Sequence, residues 1–277
     1  MWPWSESRCW LLDVRKTYNQ RVMAMIKRLL LTFMLLTASM QAAAVDYTDI
    51  WFNPAESGWG LNVVQSDTFL FMTFFIYGPD GKPTWFTAQV NEDSAGNFNG
   101  TLYATNGTYY LLPWAGATVA AVGTASFQPL GPYTARLVYI VNGVGTVTKT
   151  IQRQSLTTIS IGGNYTGGVV IVRSLCANSG SGTVTANISI SQPLNNVGPV
   201  SLGIARADGV SCTFVGPVTQ WGKLYQMTNA TYNCSNGLNT TANVNEFSAT
   251  AHGIEGTWSA NAQEGCVEAG TFAGVLR

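Results

Sequence analysis

The sequence predicts an all-β fold of two consecutive small antiparallel β-barrel or sandwich domains. Three observations predict it. Only 10% of the 277 residues are charged, while Gly (29) and Trp (9) are abundant and Ser, Thr and Asn are plentiful; a free-standing helical bundle carries far more Lys, Glu and Arg. Short runs of β-branched and aromatic residues recur between Gly, Pro, Asn and Asp turn signals. No continuous helical pattern follows the N-terminal segment.

That segment is taken first. Met25–Arg28 is basic, Leu29–Thr37 is apolar, and Ala42-Ala43-Ala44 supplies small residues. This is the pattern of a secretory signal peptide, with cleavage expected after Ala44. The apolar run is too short for a membrane-spanning helix. Residues 1–22 do not fit a signal peptide and read either as sequence upstream of a later start at Met23 or Met25, or as a cytoplasmic extension ahead of a signal anchor. Residues 1–44 are therefore an upstream extension plus signal peptide. The mature chain from Val45 to Arg277 has eight Lys and Arg against twelve Asp and Glu, a net charge of −4. That balance argues against a surface for nucleic acid or other acidic polymers. His252 is the single histidine, which excludes a multi-histidine metal site, and no cofactor is expected.

Residues 45–155 form the first expected domain. Ile50–Phe52 opens it. Gly60–Gln65 and Thr68–Tyr77 make a hairpin around Ser66-Asp67. Gly78-Pro79-Asp80-Gly81 is a turn, because Pro fixes φ and Gly accepts positive φ. Pro83–Val90, Asn97–Tyr103, Ala120–Phe127, Tyr133–Val141 and Gly145–Arg153 follow, about eight strands joined mostly by short turns and hence antiparallel. Phe69–Tyr77 is apolar on both faces, so it is covered on both sides or lines an apolar cavity.

A polar, β-branched connector at 156–161 leads to the second domain, 160–277. Its strands are Tyr165–Arg173, Thr183–Ser191, Val200–Arg206, Ser211–Val215, Lys223–Asn233, Val244–Ala251, Gly256–Ala260 and Val267–Leu276. Thr183–Ser191 alternates cleanly, with Val184, Ala186, Ile188 and Ile190 on one face. Cys176, Cys212, Cys234 and Cys266 all lie in this half. An even number without C-x-x-C spacing in an exported chain reads as disulfides. Cys212 and Cys234 lie on strands expected to be near neighbours, and barrel closure brings first and last strands together, so the expected pairs are Cys212 with Cys234 and Cys176 with Cys266. No cysteine lies right after the cut, so no lipoprotein anchor is expected. An outer-membrane barrel is disfavoured, since regular outward apolar bands and a terminal aromatic are missing.

One stretch is specific: Trp51-Phe52-Asn53-Pro54-Ala55-Glu56-Ser57-Gly58-Trp59-Gly60-Leu61, with Phe74, Tyr77, Asp80-Gly81-Lys82-Pro83-Thr84-Trp85 and Gly100–Tyr103. It resembles a module of exported proteobacterial proteins of unknown function, in which W-[YF]-N-P-x-E-S-G-W-G precedes a hairpin ending D-G-x-P-x-W. The resemblance spans roughly residues 48–155. The second half, from Gly163-Asn164-Tyr165-Thr166-Gly167-Gly168, looks like the domain that often follows it. The resemblance implies a bacterial exported small β-domain and carries no established activity to transfer. A looser similarity, on Trp51-x-Asn53, is to lipocalin- and avidin-like barrels, where such an element plugs one barrel end.

The candidate ligand-binding residues are Trp51, Asn53, Glu56, Trp59 and Trp85. Four fall within nine residues around a Pro/Gly bend, where the backbone can approach a ligand. Trp offers a broad apolar face with one donor, and Asn53 and Glu56 can orient a ligand by hydrogen bonds. The competing reading makes Glu56 a turn carboxylate capping backbone N–H groups and the tryptophans core residues. His252 lacks a G-x-S-x-G partner and reads as a lone surface or strand histidine. Six Asn-x-Ser/Thr triplets match what chance gives in so Asn- and Ser/Thr-rich a chain, and no glycans are expected. The expected function is a non-catalytic exported binding or envelope-associated protein, periplasmic or extracellular, with a small molecule, glycan or protein as partner. The alternatives are a protein–protein interaction module (inhibitor or adhesion accessory) and a carboxylate-dependent hydrolase around Glu56. An open apolar barrel interior favours a carrier, a filled core with a flat aromatic patch outside favours the interaction module, and facing carboxylates favour the enzyme.

Overall fold

The computed structural model describes residues 45–176, 179–193, 198–261 and 265–277. The signal-peptide reading falls outside these residues. Val45–Arg277 forms one compact unit, and its described residues contain strands and no helix.

The first half is a closed antiparallel meander of eight strands. These are β1 (Asp49–Phe52), β2 (Gly60–Ser66), β3 (Phe69–Tyr77), β4 (Pro83–Glu92), β5 (Phe98–Gly107), β6 (Ala117–Pro129), β7 (Thr134–Val141) and β8 (Gly145–Arg153). Closure is by β1 against β8, with Trp51 opposite Arg153 and Phe52 opposite Gln152. Strand alternation sends one residue in two inward. Trp51, Leu61, Val63, Leu70, Met72, Phe74, Val90, Phe98, Leu102, Phe127, Leu137 and Ile151 are buried together and fill the barrel.

The second half comprises β9 (Gly163–Ser174), β10 (Gly180–Ser191), β11 (Val200–Arg206), β12 (Ser211–Gly216), β13 (Val218–Trp221), β14 (Leu224–Cys234), β15 (Asn239–Ala249), β16 (Gly253–Ala260) and β17 (Val267–Leu276). Their order is β12-β11-β10-β9-β17-β16-β15-β14-β13, and β12 also pairs with β14. That extra pairing closes a second barrel. β12 lies along Thr231–Cys234 and β13 along Leu224–Met227 of the same strand. Pro217 separates them, because it has no N–H to continue the ladder. The sequence reading ends the first of these strands at Val215 and places no strand at Val218–Trp221, because Pro217 breaks the pattern between them. First and last strands meet as β9 against β17, and both expected disulfides are present, Cys176–Cys266 and Cys212–Cys234. The first spans 90 residues and the second 22, so each stabilises by roughly 3–5 kcal/mol in the chain-entropy account.

The two barrels meet at a polar seam. Arg153, the last residue of β8, is 1% exposed. Its guanidinium donates to Asp49 Oδ2 (3.1 Å), to Pro132 O (2.7 Å) and to the carbonyls of Asp46 and Thr48. It lies 5.0 Å from the centroid of the Trp51 ring. Asp49 Oδ2 also accepts from the backbone N–H of Lys223 (3.0 Å), in the β13–β14 turn. Gly222 in that turn has φ +59°, and a Cβ there would stand 2.1 Å from Asp49 Oδ2, so glycine is required on both counts. Lys223 Nζ pairs with Asp46. Tyr133 stacks on Trp221 at 5.8 Å, and its hydroxyl accepts from Glu246 N (2.8 Å). Glu246 has φ +51° at a bulge between Asn245 and Ser248. The bulge frees its N–H from the ladder to reach the first barrel.

Breaking a buried ion pair strands a charge and typically costs about 3–5 kcal/mol. Arg153→Met is expected to lower the urea-unfolding free energy by about that much, and a loss below about 1 kcal/mol would contradict the seam's role. Burial raises the Asp46 carboxyl pKa, but hydrogen bonds from Lys223 and Thr48 leave it below its ordinary 3.8. Its contribution is therefore complete above pH 3.8 and is lost as pH falls through the lower folded value. Lys223→Met should flatten stability against pH in that acid window.

Candidate functional site

The candidate residues divide by position along the first barrel. Trp51 is fully buried in its interior. It packs edge-on against Phe127 at 5.0 Å and donates its indole N–H to Tyr47 O (3.0 Å). A molecule bound to this conformation does not meet it. Asn53, Glu56 and Trp59 lie together in the β1–β2 bend, at the barrel end away from the seam. Here the turn-capping role belongs to Asn53, whose Oδ1 accepts from Ala55 N (2.9 Å). The bend closes with Glu56 N donating to Asn53 O (3.0 Å).

The Glu56 carboxylate has different partners. It accepts from Lys149 Nζ on β8 (2.7 Å) and from the Trp59 indole N–H (3.1 Å). The Lys149 ammonium and that indole donor hold its carboxyl below the usual carboxylate range. Trp59 packs half-buried against the barrel core together with Ile76, Phe86 and Tyr139. Tyr77, at the end of β3, donates its hydroxyl to Gly58 O (2.9 Å), where φ of +112° calls for glycine. The bend is thus pinned to β3 and β8 and stops this end of the barrel.

Trp85 sits outside. Register places Gly60, Phe75 and Trp85 in one row across β2, β3 and β4. Phe75 is 55% exposed and Trp85 53%. Tyr77 and Phe71 share the outward face of β3, while Leu70, Met72 and Phe74 point in. Neighbouring strands are about 4.8 Å apart, so Trp85 stands about 10 Å from Gly60 and the bend. β3 is apolar on both faces, as the sequence suggests, but its outer face forms an open aromatic wall. Phe71, Phe75 and Tyr77 were missed as site residues; their alternation with Leu70, Met72 and Phe74 was the available signal.

The second barrel holds two other groups of polar residues. Buried Glu268 accepts from Tyr232 Oη (2.6 Å) and Arg173 Nε (2.8 Å). Burial, with the Glu268 carboxylate beside it, pushes the Tyr232 hydroxyl far above its ordinary range. Cavities of about 370 and 290 Å³ flank Arg173. A third, of about 480 Å³, is lined by Ser248, His252 and Glu255 among others. A nucleophilic relay needs histidine between serine and carboxylate. Here Ser248 Oγ donates directly to Glu255 Oε1 (3.1 Å). Among the described residues no group of three or more His, Cys, Asp or Glu is placed to hold a metal ion, and no helix is long and apolar enough to cross a membrane.

No family model, curated protein or solved structure matches the chain.

The geometry separates the roles of Glu56 and Trp59. Glu56→Gln should leave the melting temperature nearly unchanged, since exposed ion pairs contribute little. Trp59→Ala should cost about 2 kcal/mol through lost packing, below a full core truncation because the ring is half-buried. Thermal melts of the two variants check this, and a large loss for Glu56→Gln would contradict it.

Proposed function

We propose that the protein is a non-catalytic exported binding module that works from its outer surface, and that the aromatic wall of the first barrel contacts a protein partner. One observation carries this reading. The first barrel's interior is filled with its own side chains, whereas Phe75, Tyr77 and Trp85 stand adjacent and more than half exposed outside it. Isolated exposed apolar residues are ordinary; a contiguous aromatic row marks an interaction surface. Trp and Tyr dominate the energetics of protein contacts, because they bury large rigid area at low entropic cost. The pinned bend beside the wall and the rigid sheet beneath it keep the surface preorganised, which limits the entropy lost on binding. Two disulfides support an exported setting, as does the likeness of the Trp51–Leu61 stretch to exported modules.

The test is site-specific photo-crosslinking in the producing cell. Thr87 lies on the outer face of β4 opposite Thr73, within the wall. Thr150 lies exposed on β8, across the barrel. A photoreactive residue at 87 should give one discrete protein adduct, and one at 150 should give none. Phe75→Ser with Trp85→Ser should abolish the adduct without changing the melting temperature, because loss of two hot-spot aromatics weakens binding by roughly 2 kcal/mol or more each. Absence of an adduct at 87, or an equal one at 150, would contradict the proposal.

A further inference from the structure

A second apolar surface lies on a projection from the barrel. β5 pairs with β4 only as far as Tyr103, opposite Thr87. β6 pairs with β7 only from Gly123, opposite Val141. Between these limits Ala104–Gly107 pairs with Ala117–Ala120 alone. The β5–β6 hairpin therefore continues as a two-stranded arm that pairs with neither β4 nor β7. Four residues at about 3.4 Å each carry it about 14 Å past the Tyr103–Thr87 pair before its loop begins, level with the Pro83–Phe86 end of β4, which stays paired with β3 out to Tyr77.

The loop at its end is built, not slack. Thr108 closes its neck, with backbone N–H and Oγ1 both donating to Gly116 O (3.2 and 3.0 Å) and Oγ1 accepting from Ala115 N (2.9 Å). Leu112 N donates to Tyr109 O (2.9 Å). This frame presents Tyr109, Tyr110, Leu111, Leu112 and Trp114 to solvent at 56, 83, 69, 61 and 73% exposure. A free two-stranded ribbon is marginal in water, and an apolar tip adds to the cost of leaving it bare.

We propose that the arm is a lipid anchor whose tip enters the interfacial layer of a bilayer. Charge decides the occupant. From Ser94 to Ala135 the chain contains no Asp, Glu, Lys, Arg or His, so the tip, both strands of the arm and their roots carry no charged side chain at neutral pH. A protein groove does not require that of a whole projecting element, whereas a bilayer penalises charge along everything that enters it. The composition fits the depth. Interfacial anchors sink about 5–10 Å, and Tyr and Trp favour that layer while Leu favours the acyl boundary below it. The shape fits as well. The tip is the end of a projecting hairpin, and all five of its large apolar side chains are exposed. The charged groups at this end of the barrel, Asp80 paired with Lys82 and Glu56 with Lys149, balance in sign. Anchoring is therefore driven by apolar insertion, independent of lipid charge.

The exported protein, its N-terminus read to confirm loss of Leu29–Thr37, is sedimented with sucrose-loaded phosphatidylcholine vesicles. It should co-pellet equally with and without added phosphatidylglycerol and at high salt. Leu111→Asp with Leu112→Asp should lower partitioning at least about tenfold with an unchanged melting temperature. On the unaltered chain, brominated phosphatidylcholine should quench a fluorescence component that Trp114→Phe removes; this readout decides the matter if the double variant does not fold. Three results would overturn the proposal: no co-pelleting or quenching, co-pelleting that the double variant retains or that requires anionic lipid, or a lipid-free dimer that the double variant dissociates.

Discussion

The buried Arg153 guanidinium is the constraint on which the rest of the molecule depends. It ends the strand that closes the first barrel, so its charge sits where β8 must meet β1. A buried cation is tolerable only when paired and fully hydrogen-bonded. Asp49, three backbone carbonyls and the Trp51 face meet that demand. Because Asp49 also accepts from Lys223 N, the same carboxylate that neutralises the arginine holds the second barrel's β13–β14 turn. Closure of one barrel and docking of the other are consequences of one local electrostatic requirement.

This arrangement allocates the surfaces of the first barrel. The seam consumes one end, through Asp46, Asp49, Tyr133 and Arg153. The other end is stopped by the 53–59 bend, which Glu56, Trp59 and Tyr77 tie to the flanking strands. The interior is filled. The exposed aromatic side chains lie outside it, in the aromatic row on β3 and β4 and at the tip of the uncharged β5–β6 arm.

Much of the fold was legible in the sequence, because period-two alternation and Gly/Pro turn chemistry act locally. Thr183–Ser191 and the Gly78–Gly81 turn needed no tertiary information. The disulfide scheme followed from barrel closure for Cys176–Cys266 and from strand proximity for Cys212–Cys234. What escaped depended on long-range geometry. β13 was hidden because Pro217 splits one strand position in two. The β5–β6 arm was underestimated because its outer residues, Ala104–Gly107 and Ala117–Ala120, are small and weakly patterned and pair only with each other. Among the candidate residues, Asn53, Glu56 and Trp59 were rightly placed in one bend, since they are sequence neighbours. Trp51 differs from Trp59 in burial because its strand faces Arg153 across the closure. The capping role in the bend passed to Asn53 because Lys149, 93 positions away, draws the Glu56 carboxylate. No local pattern announces such a partner.

The claim that one buried ionic node makes the two barrels a single body has a direct test in native-state hydrogen exchange. Amides of β1, of β8 and of the β13–β14 hairpin should exchange through a common opening with one free energy, close to that of global unfolding. Asp49→Asn should lower all three together. Exchange of β13–β14 at its own lower free energy, with β1 and β8 unaffected by the substitution, would show two independently stable barrels and contradict the account.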